Sequence, residues 1–296
     1  MHPLLRHPAL FKRALAHALE DDALNIAQSA AYSAIVALFP ALIVFAALVP
    51  LLPDTAPIRY ELADVVQRIL PADVTPLLES YFSSSKEGVT STRALILSIL
   101  VSISGASGVI ATFMEGLRRA YRLPPDCWSF WSRRARALLL VPLSLIPLAA
   151  SSLLVLFGHF LATWLAGHGT PQQSGPIYVF VITVRWLVAL AGSVGLIALL
   201  YKLGTPLRLS WRSTLPGALL ATALWFASTL VFGWYVTRFA NYSRVYGSLG
   251  AGIALLFWLY ITSLSVLCGG EFNGQLRSAR IAAADPLPLP PSAPLA

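Results

Sequence analysis

Glu115 and the arginines behind it carry the densest chemistry in the chain. In EGLRRAYRLP, helical spacing puts Glu115 beside Arg118 and Arg119, at i+3 and i+4, with Arg122 in the same basic run. A carboxylate and a guanidinium so placed form an ion pair at a membrane surface. The same run can also contact anionic lipid headgroups, which a cytoplasmic leaflet supplies. A second set closes the last apolar run, where CGGEFNGQL holds Glu271 and Asn273. These cap that helix or tie it to the basic connection around Arg118. Glu115 and Glu271 are the two carboxylates suitably placed for ion coupling. Arg185 stands inside an apolar run, roughly 12 Å of helix rise beyond its start. An ionised guanidinium there needs the bundle interior, a wet cavity, a carboxylate, or a snorkelling route to the outer surface. Structural anchoring and binding of an anionic substrate or headgroup both stay open for it.

Catalytic arrangements are harder to find. The five histidines, His2, His7, His17, His159 and His168, form no HExxH or other compact ligand set. There is no GxSxG elbow and no P-loop. Nuclease chemistry wants acidic metal ligands or an acid–base set gathered at a wet site, and the polar segments offer little of that kind. The expectation is a non-enzyme, with no metal and no cofactor. Cys127 and Cys268 match no metal-site or disulfide pattern and read as free thiols.

The elements that would position these residues are apolar. Of 296 residues 57% are hydrophobic and 11% charged, which excludes an ordinary soluble surface. Mean hydropathy is +0.71. Runs of helical membrane-spanning length, without the short alternation of a barrel, predict an all-α polytopic membrane protein with six transmembrane helices plus amphipathic extramembrane helices. The spans fall at about 29–52, 91–114, 137–164, 177–201, 214–236 and 249–269. Pro40 lies inside the first, where it kinks or breaks the helix locally. Small residues at Ser104 and Gly108 give the second a packing seam or a hinge. Three divisions follow: a cytoplasmic amphipathic segment at 1–28, the transmembrane domain at 29–273, and a Pro-rich disordered tail at 274–296. In the first, Leu10, Leu15, Ala18 and Leu19 share one helical face while Lys12 and Arg13 meet headgroups. This segment lacks the basic, apolar and cleavage-site order of a signal peptide, so the first span is expected to stay in the mature protein. The connection at 53–91 reads as one or two amphipathic helices on the outer face, or as a gating lid. WSFW, Trp128 to Trp131, suits an interfacial anchor.

Charge sets the orientation. Fourteen Lys and Arg fall on the side holding both termini and five on the other, so both ends are placed in the cytoplasm. The net charge of +8 is therefore topological, and no nucleic-acid partner is expected. Membrane lipids, including anionic headgroups, are the expected partners, with an envelope protein as another; the oligomeric state stays open. Near the opposite surface, Asn241, Tyr242, Ser243, Tyr246 and Gly247 form a compact polar and aromatic segment.

Four stretches resemble the YihY/BrkB family of inner-membrane proteins, formerly misassigned as ribonuclease BN. They are AYSAIVALFPALIVF (Ala31 to Phe45), GLRRAYRLP (Gly116 to Pro124), LPGALLATALW (Leu215 to Trp225) and FANYSRVYGSLGAGIALLFWLYITSLSVLCGGEFN (Phe239 to Asn273). The resemblance implies a six-helix protein of the bacterial inner membrane. Family members are associated with virulence or serum resistance and with envelope lipid transport. It singles out Tyr32, Pro40, Arg119, Tyr121, Asn241, Tyr242, Tyr246, Gly247, Glu271 and Asn273 as functional or architectural positions. The GLRRAY and CGGE segments depart slightly from the usual family pattern. Three readings follow: a transporter of lipid or another envelope small molecule, a non-catalytic scaffold, and, least favoured, a membrane hydrolase or nuclease.

Overall fold

Apolar runs of this length satisfy their backbone inside helices, and helices are the regular structure that forms. The computed structural model describes residues 7–48, 92–147, 174–239 and 248–284. Its elements are α1 (His7–Glu20), α2 (Ala23–Leu48), α3 (Thr92–Ala120), α4 (130–147), α5 (Ser174–Leu203), α6 (Trp211–Phe239) and α7 (Ser248–Ala284).

The amphipathic helix expected from about Pro8 to Gln28 is two elements. Asp22 adopts φ 65°, a left-handed conformation that Asp tolerates better than most residues, and this stops α1. The Asp22 side chain then accepts from Asn25 Nδ2, and the Asp22 carbonyl takes the Ile26 N–H at 3.1 Å, starting α2. The buried face of α1 also differs. Ala14 and Ala18 are buried, whereas Leu15 and Leu19 are exposed. Small side chains let α1 lie close on α7, and the larger leucines point away from that contact.

The packed core gathers at the end of the bundle where α1, the α3–α4 connection, the α5–α6 connection and the end of α7 meet. Glycines and alanines bring backbones together there. A Cβ on Gly217 of α6 would run into the Gly269 carbonyl oxygen of α7, and the reverse holds for Gly269. Tyr201 of α5, fully buried, donates to the Val266 carbonyl at 2.5 Å and seals this crossing. Between α2 and α3 the seam is at Gly105, whose added Cβ would stand 2.7 Å from the Ala37 Cβ. Gly108 faces Ser33 with ordinary clearance. Ser104, expected in that seam, instead accepts from Arg134 Nη2 at 3.1 Å. It lies one helical position from Gly105 and so occupies a different face.

Among the described residues, four helices are long and apolar enough to cross a membrane: Ile96–Ala120, Ile182–Leu203, Trp211–Val236 and Gly252–Ala283. The expected first span falls on α2, whose 26 residues run through Pro40 without interruption. The expected third span is described only through residue 147. The chain is thus an all-α polytopic membrane protein with four such helices among the described residues, rather than the six expected. At its end, α7 continues past Asn273 to Ala284, so the expected tail begins as helix.

Candidate functional site

The arginine run closes α3 and its guanidinium groups are taken up by protein. Arg118 grips Glu115 with both forks, at 3.0 and 2.7 Å, and gives its remaining arm to the Leu123 carbonyl at 2.8 Å. Arg119 reaches Glu115 at 3.2 Å, the Asp21 carbonyl at 3.2 Å and Asp22 at 3.5 Å. Arg133 adds a longer contact to Glu115 at 3.8 Å. The i+3 and i+4 pairs expected from spacing are therefore present, and the ties to Asp21 and Asp22 extend them to the α1–α2 turn.

Arg122 occupies the left-handed position after the helix end, at φ 54°. The Leu123 N–H returns to the Arg118 carbonyl at 2.9 Å and the Arg122 N–H to Arg119 at 2.8 Å, a Schellman-type closure. Glycine usually fills that position. Here the arginine side chain offsets its backbone cost by donating to Asp21 Oδ1 at 2.9 Å and meeting His17 Nδ1 at 2.9 Å.

Glu271 points into the same junction from α7. It is 3% exposed, and its Oε2 has no hydrogen-bond donor. Asp21 Oδ2 is likewise buried without a donor. The two carboxyl groups are neighbours, with Arg122 nearby. Opposed carboxyls need a proton or a cation between their oxygens.

Asn273, two residues on, serves a different neighbour. It is 2% exposed; its Oδ1 accepts the Gly217 N–H at 2.8 Å and its Nδ2 donates to the Thr214 carbonyl at 2.9 Å. Pro216 sits between those two positions inside α6, where it lacks an N–H and opens the helix locally. Beside Asn273 lies Tyr121, whose phenol burial pushes up to about 12. Both line a cavity of about 300 Å³ bordered by Arg208, Ser210, Ser213, Arg277 and Arg280. Sequence reasoning missed this cavity. Its one linear signal was Arg277 and Arg280 three apart on a helix, while Arg208 lies in another connection.

The remaining residues fall elsewhere. Tyr32 is exposed on α2, and Pro40 lies farther along that helix. Arg185 stands within α5, and its side chain lies outside the described residues, as do Asn241, Tyr242, Tyr246 and Gly247. Trp128 lies under Arg136, 4.0 Å from guanidinium to ring centroid, while Phe130 and Trp131 are exposed. Cys127 and Cys268 are free. Burial pushes the Cys127 thiol up, against the opposing pull of Arg118. Among the described residues no group of three or more His, Cys, Asp or Glu is placed to hold a metal.

Apolar helices joined at one end by ion pairs define a multi-pass α-helical membrane protein. The chain belongs to the virulence factor BrkB family, whose profile matches residues 14–292. It is 27% identical over 271 residues to YfkH of Bacillus subtilis, a protein described as ribonuclease-like, covering 92% of this chain and 94% of that one. A UPF0761 membrane protein of Tolumonas auensis is 39% identical over 84 residues, 28% of each chain. A UPF0761 membrane protein of Xanthomonas campestris is 27% identical over 271 residues, covering 88% of this chain; the match spans 59% of the relative's length. No solved structure matches the chain significantly. The UPF0761 relatives are described as membrane proteins of bacteria.

Proposed function

We propose that the protein is a transporter of a lipid or another small molecule of the cell envelope. One observation carries this reading: the end of α7 places the buried carboxyl of Glu271, whose Oε2 has no donor, two residues from Asn273 at the wall of a polar cavity. A buried ionisable group is expensive in a membrane bundle and marks a pathway more often than a packing contact. A scaffold needs neither feature.

In this reading the chain crosses the inner membrane six times with both ends cytoplasmic. The excess of Lys and Arg on the even-numbered side supports that orientation. So does the meeting of Asp21, Arg122, Arg208 and Arg277 at one end of the bundle. Glu115, Arg118, Arg119 and Arg122 then form the cytoplasmic collar, and Arg185 serves the outer half. Purified protein in proteoliposomes with headgroup-labelled lipids tests the activity. Protein-dependent movement between leaflets supports transport. Its absence across varied headgroups and ion gradients, with folded protein, favours the scaffold reading.

A further inference from the structure

Two sets of arginines stand apart at the cytoplasmic end. Arg118, Arg119, Arg122 and Arg133 are all engaged by Glu115, Asp21 or Asp22. Arg208, Arg277 and Arg280 have no ion-pair or hydrogen-bond partner among the described residues, and all three border the same 300 Å³ cavity. No carboxylate lines it among those residues. Arg208 and Arg280 are exposed and Arg277 is half-buried, so solvent screens part of their mutual repulsion, but no opposite charge in the wall neutralises it.

The other wall donates as well. Ser210 precedes α6 and its hydroxyl accepts the Ser213 N–H at 3.3 Å, the usual cap geometry. That leaves the leading N–H groups of Trp211 and Arg212 without helical acceptors, at the end of a helix that favours anions. Tyr121 supplies a hydroxyl that burial keeps protonated. Cations from two separate elements, hydroxyls and a helix start thus converge on a half-open cavity many times the volume of one water.

We propose that this cavity binds a phosphate group, from a lipid headgroup or from free phosphate, with Arg208, Arg277 and Arg280 as its charged grip. Guanidinium forks match phosphate oxygens in pairs, and three of them suit a group carrying up to two negative charges. The inference deepens the transport reading and rests on it for the role of the ligand, yet binding is measured apart from movement.

The test is calorimetric titration of the full chain in nanodiscs at physiological ionic strength. The probes are inorganic phosphate, dioctanoyl phosphatidic acid and, as the phosphate-free control, dioctanoylglycerol. The expected result is binding of a phosphate compound and none of dioctanoylglycerol. Tighter binding of phosphatidic acid than of inorganic phosphate identifies a lipid source, and equal affinity identifies free phosphate. Arg277→Ala with Arg280→Ala weakens binding at least about tenfold, and the paired Lys substitutions recover part of it because charge returns without the fork. If the alanine pair fails to fold, Arg208→Ala on its separate connection reads the same loss. Absence of phosphate binding to the wild type, or wild-type affinity in a folded alanine variant, overturns the proposal. Binding without lipid movement overturns the transport reading alone. Movement without binding overturns this one alone.

Discussion

Asn273 on α7 holds the Gly217 N–H of α6 at 2.8 Å, at the level where Gly217 and Gly269 bring the two backbones into contact. Each feature depends on the other. The amide reaches across because neither glycine has a side chain, and its hydrogen bonds occupy polar groups beside Pro216 that have no water to turn to.

Gly217→Ala therefore disrupts packing and hydrogen bonding together. The added methyl collides with the Gly269 carbonyl and the Asn273 amide, so the fold loses about 2–4 kcal/mol. Gly195→Ala is the control, since nothing lies within 4 Å of its added Cβ. It is expected to be neutral or slightly stabilising, as alanine is the better helix former. Thermal unfolding in detergent separates the two.

Arg122 offers a sharper comparison. Its φ of 54° strains any residue with a Cβ, while its side chain holds Asp21. Both Arg122→Gly and Arg122→Ala lose the ion pair, but only glycine accepts the backbone freely. The glycine variant is expected to be more stable by about 1 kcal/mol. Equal stability would remove the strain argument.

At Glu271 the identity of the replacement decides the outcome. Glu271→Gln carries a permanent N–H donor to Asp21 and should fold with a melting temperature near wild type. Glu271→Ala gives Asp21 Oδ2 no donor and empties the space the carboxyl fills, so it is expected to be less stable than the Gln variant by about 1–3 kcal/mol. A Gln variant as unstable as the Ala variant would show that the carboxyls are not opposed as described.

Cys127 reports orientation without an engineered probe. With Cys268→Ser as background, a membrane-impermeant maleimide should label Cys127 only after the inner membrane is opened. Because burial pushes that thiol up, its thiolate forms later and labelling should keep rising at pH values where an ordinary thiol has levelled off. Labelling in intact cells would reverse the orientation.

Helical spacing made the Glu115–Arg118–Arg119 ties legible, and the sizes of the apolar runs made the helical class legible. The α1–α2 break was not, because Asp21 and Asp22 in a helix-compatible stretch carry no Gly or Pro signal. Glu271 and Asn273 were expected to cap α7 or tie it to the basic connection. Glu271 faces Asp21 with Arg122 nearby, while Asn273 bonds α6 beside Tyr121. Neighbouring positions on a helix face different partners, and one sequence does not reveal which. The Arg208, Arg277 and Arg280 cavity escaped for a related reason. Its charges are separated along the chain, and inter-helix packing alone brings them together.

In the proposed transporter the Glu271 end of α7 belongs to the transport path. This is tested most directly by the initial rate of headgroup-labelled lipid movement in proteoliposomes, comparing wild type with Glu271→Gln at matched folding. Protein-dependent movement is expected to fall about tenfold or more in the variant, the equivalent of one lost charge-assisted interaction. An unchanged rate in the folded variant, or no movement by wild type, would contradict it.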